Sequence, residues 1–489
     1  MHVNAVLKVC ARAQDMDSLW DIASKLPERG PHAANSWTYT TILNTLRMNT
    51  ILAGPIGEAG HIMARRREQA IVDGRRLWNV VTTRWRAGDL ALDEELVCSM
   101  GRLLLIGSRP RDWDDVLSLV QQTMNISRLV PRLGTAARQD VAIPRIRAPY
   151  TPADMKNDGS EIEDEYDEPK PGSEFDIFDT HKSKSLVVGR GHSSSISPRD
   201  AHAYAVPSNS SLSLLTEACL KMVIKKPAQN YWALLTDTNS YGVKPDLDNI
   251  HMMLRVLRQA RSSAEALEML REEMPRLDIV PVNKTLRIAM SVCVRDGLNP
   301  NIFQNAQRIV DVMQNTLPDP DVPTMNMFLE VAIKSPEPTV LIRALERMEP
   351  GVMNLRSLLN FGSEHSGQRG GLLEPRDKEY ALELIRRMIG LYDRLLLRAE
   401  PPLEGSVRQT FEDRRAKLAA FLTRKKLKLE EWVAAREKAR QEKEKGRHEK
   451  EVDGENEEAD GEHEKADGEK EQAYRKKEDE DEDEEEEDW

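Results

Sequence analysis

The stretch that decides the fold is GVKPD at 242–246, followed at once by LDNIHMMLRVLRQARSSAEALEMLREEM at 247–274. Glycine readily ends a helix, proline cannot continue one, and aspartate is a preferred cap for the start of the next. The five residues therefore predict a helix end, a turn and a helix start in immediate succession.

The run that follows this junction has a counterpart at the start of the chain. HVNAVLKVCARAQDMDSLWDIASKL at 2–26 superimposes on it without a gap when Asn4 is aligned with His251. Both segments give an apolar helix, a polar break and a second apolar helix. A unit of about 35 residues made of two antiparallel helices buries its apolar face only against a stacked neighbour. Because no window alternates with period two, we expect an all-α fold, an α-solenoid of helix-turn-helix repeats.

Composition divides the chain into five segments. Helix-pair patterns cover 1–134 and again 211–400. Between them, 135–210 is acidic, aperiodic and rich in Pro, Gly and Ser, which predicts a disordered linker or insertion. A basic charged helix is expected over 401–445 and a disordered acidic tail over 446–489.

The net charge of -12 conceals an asymmetry. Residues 451–489 contain 22 Asp and Glu against 5 Lys and Arg, which leaves 60 acidic and 65 basic residues in 1–450. The body is therefore mildly basic and the tail is a polyanion. Such a tail serves solubility, or it competes for cationic surfaces when no nucleic acid is bound.

Several classes of protein are excluded by what the sequence lacks. No run approaches 18 uninterrupted apolar residues, so we expect no membrane span. The cysteines lie in apolar helical runs without a CxxC spacing, which favours small buried thiols over metal ligands or disulfides. The sequence contains no nucleophile elbow, HExxH or Walker loop, so we expect neither an enzyme nor a cofactor or metal. The four cysteines are Cys10, Cys98, Cys219 and Cys293.

Three segments carry a resemblance to a known family. AEALEMLREEM at 264–274 follows GVKPD, WTYTTILNTL lies at 37–46, and PDVPTMNMFLEVA at 320–332 repeats the Pro-Asp junction before another first helix. Together they resemble the pentatricopeptide repeat family, and the chain as a whole is similar to its fungal mitochondrial members. The resemblance covers about 280 of the 489 residues. Tetratricopeptide repeats have nearly the same length, but their Trp-Leu-Gly-Tyr pattern is missing here.

The resemblance implies a reader of single-stranded RNA. In this family one base is read per repeat by two or three side chains, through a polar residue early in the first helix and the last residue of the unit. Asn4 with Asn35 resembles a pyrimidine-reading pair, and Ser213 with Asp246 a guanine-reading pair. The RNA-binding residues implied in this way are Asn4, Asn35, Thr40, Ser213, Asp246, His251, Asp321 and Asn326.

Some positions depart from the family pattern. Val97 occupies an early position but cannot hydrogen-bond a base, and Leu286 or Thr285 occupies the early position of a later unit. Pro281 stands at the unit end that should partner His251. The resemblance therefore does not imply a readable base for every unit.

Each candidate also has a purely structural interpretation. Asp246 and Asp321 follow a proline and precede a helix, so they are equally candidates for N-caps alone, and Asn4 for a solvated first-turn residue. The tryptophans lie in apolar stripes and are expected to pack in the core rather than stack on bases. These tryptophans are Trp20, Trp37, Trp78, Trp113 and Trp232.

A second basic feature lies near the end of the helical part. Cations crowd one stretch of the predicted helix over 401–445, beside an apolar stripe. They form either a solvated face or a phosphate-neutralising surface that binds RNA regardless of sequence. The residues assigned to this second role are Arg424, Lys425, Lys426 and Lys428.

The expected function is non-catalytic binding of single-stranded RNA in mitochondrial RNA metabolism, through transcript stabilisation, processing or small-subunit rRNA maturation. The expected partners of this monomer are a mitochondrial transcript or rRNA precursor and the mitochondrial ribosome. The alternative is a helical-repeat scaffold that binds proteins, such as a mitoribosome component. The mitochondrial location rests on the resemblance alone, since the first residues lack the pattern of a transit segment. Since Met1 falls at about the second position of a repeat, the natural start is expected upstream.

Overall fold

The computed structural model describes residues 2–27, 30, 32–52, 60–139, 176–178, 203–335, 337–361, 375–398 and 405–424. Within these ranges all regular structure is helical, which confirms the predicted all-α class. The helices are α1 (His2–Arg12), α2 (Met16–Ser24), α3 (Ser36–Leu52), α4 (Gly60–Arg86), α5 (Glu94–Leu105), α6 (Pro110–Met124), α7 (Ala136–Gln139), α8 (Asn209–Lys221), α9 (Lys225–Thr236), α10 (Leu247–Gln259), α11 (Ser263–Glu268), α12 (Met274–Arg276), α13 (Asn283–Arg295), α14 (Ile302–Thr316), α15 (Val322–Lys334), α16 (Pro338–Phe361) and α17 (Pro375–Arg398).

Apart from the short helix α7, the helices before α17 form hairpins. The first helix of each hairpin packs on its own second helix, in the pairs α1 and α2, α3 and α4, α5 and α6, α8 and α9, α10 and α11, α13 and α14, and α15 and α16. A π-helical turn, Met269–Glu273, joins α11 to α12. The first helices also pack on one another in chain order, from α1 through α3, α5, α8, α10 and α13 to α15. All of these helices belong to one compact unit, Met1–Leu384.

The junction at 242–246 ends one hairpin and begins the next, as its sequence predicts. Gly242 has a left-handed backbone with φ +64°, which glycine adopts without strain. The Asp246 carboxylate accepts a hydrogen bond from the Asn249 amide at 2.9 Å, and the Asn249 side chain accepts one from the Asp246 amide at 3.0 Å. This reciprocal cap of α10 satisfies amides that the first helical turn leaves without partners.

The two blocks of hairpins join directly through α5 and α8. Gly101 permits the approach, because a Cβ atom there would lie 2.5 Å from the Leu214 Cδ2 atom. The Glu94 carboxylate at the start of α5 accepts hydrogen bonds from the Ser208 and Ser211 amides at 2.7 and 2.9 Å. Glu94 is the first residue of α5, and its carboxylate therefore also caps the N-terminus of the neighbouring helix α8.

The predicted linker, 135–210, contains described residues that pack on the helices. Residues 176–178 are one such segment, and residues 203–208 are another. The Trp85 indole donates to the Ala203 carbonyl at 3.3 Å, and the Ala205 amide donates to the Thr123 carbonyl at 2.9 Å. The range also contains α7 and the first residues of α8, so the prediction of disorder is wrong at both of its ends. For 140–175 and 179–202, and for the acidic tail, the prediction concerns residues outside the described ranges.

The second compact unit, Ile385–Trp489, contains the end of α17 and a helix over 405–424. The Arg415 Nε atom lies 2.9 Å from the Asp393 Oδ1 atom. The Tyr392 and Phe411 rings meet edge to face with centroids 5.2 Å apart. These contacts hold the two helices together, and the second of them, 405–424, lies within the range 401–445 where the sequence predicts a basic helix.

The described residues contain no candidate membrane span and no candidate metal site. None of their helices combines the length and apolar character that crossing a bilayer requires. Their His, Cys, Asp and Glu side chains form no group suited to holding a metal ion. The four cysteines are free thiols, and Cys98, Cys219 and Cys293 are buried as predicted, whereas Cys10 is half-buried.

Candidate nucleic-acid interface

The first helices share one register, counted from the residue that precedes each helix. The residue five places further on occupies the same turn in each helix, and we call it the fifth-residue position. The register puts Cys98 rather than Val97 at this position in α5, and Arg287 rather than Leu286 or Thr285 in α13. The sequence-based assignment was therefore one or two residues early in these two helices. The fifth-residue positions are Thr40, Cys98, Ser213, His251, Arg287 and Asn326.

The predicted pair Asn4 and Asn35 is brought together at the first hairpin junction. The Asn4 Nδ2 atom donates to the Asn35 Oδ1 atom at 3.3 Å. The Thr38 hydroxyl donates to the Asn4 Oδ1 atom at 2.7 Å, while the Thr38 amide donates to the Asn35 side chain at 3.0 Å. Asn35 thus caps α3 and also touches α1, and both amide side chains remain partly open to solvent.

The predicted pair Ser213 and Asp246 is joined through a third residue. The Asn249 Nδ2 atom donates to the Ser213 hydroxyl at 2.7 Å, and Asn249 is the residue that pairs with Asp246 in the cap of α10. The exposed Asp246 carboxylate also accepts from the Asn209 side chain at 3.3 Å. Asp246 is therefore an N-cap, as one sequence-based interpretation held, and it keeps an edge open to solvent.

His251 continues this pattern but is buried. Its Nε2 atom lies 2.8 Å from the Thr285 hydroxyl, which belongs to the next hairpin. Burial lowers the pKa of His251 to about 4, and the Lys284 cation acts in the same direction. The ring is therefore neutral at physiological pH and serves as a hydrogen-bonding contact between hairpins.

The next junction replaces neutral contacts by an ion pair. The Arg287 Nη2 atom lies 2.9 Å from the Asp321 Oδ1 atom, and Asp321 also caps α15 through the Thr324 amide at 3.0 Å. Asp321 is buried, so its carboxylate is fully engaged within the protein. The interpretation of Asp321 as an N-cap is correct, and its partner Arg287 is a residue that the sequence did not single out.

The remaining candidates have different surroundings. Thr40 is only 3% exposed, which is unfavourable for contact with a base. Asn326 is half-buried, whereas Arg424 is exposed and donates to the Ala420 carbonyl at 3.2 Å. Lys425, Lys426 and Lys428 lie outside the described residues.

A group of cations that the sequence did not reveal lies on the first helices. One turn beyond the fifth-residue position is the residue nine places after the one that precedes the helix. It is Arg102 in α5, the carboxylate Glu217 in α8 and Arg255 in α10. Arg47 of α3 and Lys221 of α8 complete the group, and all four cations act electrostatically on Glu217. We call Arg47, Arg102, Lys221 and Arg255 the cation row.

The cation row carries more positive charge than its own carboxylate neutralises. Burial raises the pKa of Glu217 against the opposing effect of the cations, and this single carboxylate stands against four cations. Burial lowers the pKa of Arg47, and repulsion from Arg102 adds to the effect. Arg102 and Arg255 form no hydrogen bond or ion pair within the ranges that the structure describes. The row therefore has the electrostatic character of an anion-binding surface.

The tryptophans divide into two groups. Trp78, Trp113 and Trp232 are buried, as predicted, and Trp20 is half-buried. Trp37 departs from the prediction because it is 52% exposed, two residues after Asn35. An exposed indole beside the candidate pair Asn4 and Asn35 is the kind of platform on which an unpaired base can stack.

Comparison with known proteins assigns no family. No protein-family model matches the chain, and no curated protein matches it.

Proposed function

We propose that this chain is a pentatricopeptide-type α-solenoid that binds single-stranded RNA without catalysing a reaction. The observation that carries the proposal is the cation row, Arg47, Arg102, Lys221 and Arg255, which spans four first helices that pack in succession. Cations placed on four successive helices match the repeating phosphates of a nucleic-acid strand better than they match a small anion. The exposed ring of Trp37 and the half-open amides of Asn4 and Asn35 supply stacking and base-edge contacts near one end.

Action on mitochondrial transcripts or an rRNA precursor, and association with the mitochondrial ribosome, are part of the same proposal. They rest on the family resemblance of GVKPD, AEALEMLREEM and the related segments. In this scheme a bound strand is protected from nucleases or held open for a partner. The protein needs to break no bond to do so.

The test removes part of the cation row from the full chain. The variant Arg47→Ser, Arg102→Ser, Arg255→Ser is compared with Lys226→Ser, Arg271→Ser, Arg308→Ser, which removes the same charge from exposed positions of the second helices. Binding to a fluorescent 20-nucleotide single-stranded RNA is followed by anisotropy at several salt concentrations. Because each neutralised phosphate of a single strand contributes about 0.7 to the slope of log K against log salt, loss of three contacts lowers the slope by about 2.

The control variant is expected to lower the slope by much less. Equal slopes for both variants, with unchanged thermal melting, would mean that the cation row does not contact the strand. Glu217→Gln tests the same surface in the opposite direction, since removal of the carboxylate among the four cations should strengthen RNA binding. No binding by the wild-type chain at near-physiological salt would reject the RNA proposal altogether.

A protein-binding scaffold is the second candidate. One observation favours it: Val3, Val6 and Val9 form an exposed row on α1, at 39%, 46% and 65% exposure. Such a row fits the apolar face of a partner helix. The scaffold is preferred if the wild-type chain fails to bind RNA and a charged substitution at Val6 abolishes association with a purified protein partner.

A further inference from the structure

A three-residue segment, Asp176–Phe178, packs on the first compact unit from within the long stretch between α7 and α8. The residues on either side of it, 140–175 and 179–202, lie outside the described ranges. Phe178 has no solvent exposure and Asp176 is buried. Asp176 and Phe178 are therefore as buried as core residues, whereas Ile177 between them is half-buried.

The contacts of this segment combine charge, main chain and aromatic ring. The Asp176 carboxylate pairs with the Arg132 guanidinium. The Gln122 Nε2 atom donates to the Ile177 carbonyl at 2.8 Å. The Arg75 guanidinium lies over the Phe178 ring, 5.3 Å from its centroid. The site thus recognises a carboxylate, a backbone carbonyl and an aromatic ring in that order.

The receiving side chains are held in place by other partners. Arg75 pairs with Asp112 at 2.6 Å and with Asp115 at 2.9 Å. Arg132 pairs with Asp115 at 3.2 Å in addition to Asp176. Since α6 anchors both arginines, the surface keeps its shape when the segment leaves, and a preformed site costs a ligand little reorganisation.

The Asp176–Phe178 segment is also held in a defined conformation by a hydrogen bond of its own. The Phe178 amide donates to the Asp176 Oδ1 atom at 3.0 Å, which closes a local turn. This turn presents the carboxylate and the ring on the same side of a three-residue peptide. A peptide that contains an acidic residue, any residue and then an aromatic residue can reproduce every one of these contacts.

We propose that Arg75, Gln122 and Arg132 form a docking site for short acidic-aromatic peptides of partner proteins, and that Asp176–Phe178 occupies it in cis. Tethering gives the chain's own segment an effective concentration in the millimolar range, so modest intrinsic affinity suffices to fill the site. A partner that displays several copies of the motif, or binds elsewhere as well, displaces it. The site is independent of the cation row and of RNA binding.

The first test vacates the site in the full chain. The variant Asp176→Ala, Phe178→Ala is titrated into a fluorescent peptide of residues 173–180, SEFDIFDT. We expect the peptide to bind this variant at least about tenfold more tightly than wild type, because the tethered competitor is gone. The control peptide carries Ala at the positions of Asp176 and Phe178 and is expected to bind neither protein. Failure of the vacated variant to bind SEFDIFDT, with wild-type thermal melting, would overturn the proposal.

A second test applies even if the vacated variant does not fold. Protease recognition sites are inserted in the wild-type chain at residues 155 and 192, so that cleavage releases a fragment that contains Asp176–Phe178. The docking proposal predicts that the fragment co-elutes with the helical body in gel filtration and is displaced by excess SEFDIFDT. A fragment that stays bound against a large excess of the peptide is a permanent part of the core, and that result would also overturn the proposal.

Discussion

The Asp321 carboxylate accepts hydrogen bonds from the Arg287 guanidinium at 2.9–3.2 Å while it caps α15 through the Thr324 amide at 3.0 Å. One carboxylate therefore links two successive hairpins and begins the second of them. Two other junctions use neutral groups for the same purpose, Asn249 with Ser213 and His251 with Thr285. The cohesion of the hairpins accordingly depends on polar contacts between neighbouring first helices as well as on apolar packing.

Removal of Asp321 should cost more stability than removal of Arg287. Asp321→Ala loses the cap and leaves the arginine without this partner, a cost of about 2–4 kcal/mol. Arg287→Ala leaves the capped carboxylate in place, and we expect a smaller loss. Urea unfolding followed by circular dichroism measures both. Equal losses would show that the cap does not contribute.

Glu94 should make the α5 and α8 contact sensitive to acid. Burial alone would raise the pKa of Glu94, but hydrogen bonds from Ser208 and Ser211 outweigh it and hold the pKa below its ordinary value of 4.5. The stabilisation is therefore complete above pH 4.5 and is lost as pH falls through the lower pKa of the folded protein. Glu94→Gln is expected to melt at a lower temperature than wild type at pH 7. The two melting temperatures should converge as the pH falls below 4, and a constant difference would contradict this assignment.

His251 provides a second pH-dependent contribution, with the same sign over a higher range. Its pKa is about 4 in the folded protein and close to 6.5 when exposed, so the unfolded chain takes up the proton first. At pH 5 this difference removes about 2 kcal/mol of stability relative to neutral pH. His251→Gln, which can still bond to Thr285, should lose less stability between pH 7 and pH 5. An identical loss in both proteins would place the acid sensitivity elsewhere.

Gly101→Ala should destabilise the protein in spite of its better helix propensity. The new methyl group would lie 2.5 Å from the buried Leu214 side chain, an overlap that costs about 1–3 kcal/mol against a propensity gain of up to about 1 kcal/mol. The cost should vanish when Leu214→Ala is also present, since the space is then free. A double variant that is less stable than Leu214→Ala alone would show that the strain lies in the backbone instead.

The local features of the fold could be predicted because each is determined by a few adjacent residues. Gly242, Pro245 and Asp246 encode a helix end and a helix start by their own backbone and hydrogen-bonding preferences. Apolar spacing within one helix likewise placed residues such as Cys219 and Trp232 in the core. These inferences needed no knowledge of how distant segments meet.

The cation row could not be found in this way. Arg102 and Glu217 approach each other only because α5 packs on α8, and the chain between them includes α6 and a stretch without periodicity. The Asp176–Phe178 segment escaped prediction for a related reason. Three residues show no period, and the acidic, proline-containing sequence around them dominates any window that includes them.

The direct packing of α5 on α8 determines how much the chain that connects these two helices contributes to the fold. Since helices and the Glu94 cap already hold the two sides together, the peptide bonds between residues 139 and 203 contribute mainly by keeping the halves near each other. A gene divided after codon 190 should therefore yield two products, 1–190 and 191–489, that find each other when co-expressed. Fragment complementation of this kind would turn one chain into a heterodimer whose assembly is controlled by when the second fragment is supplied.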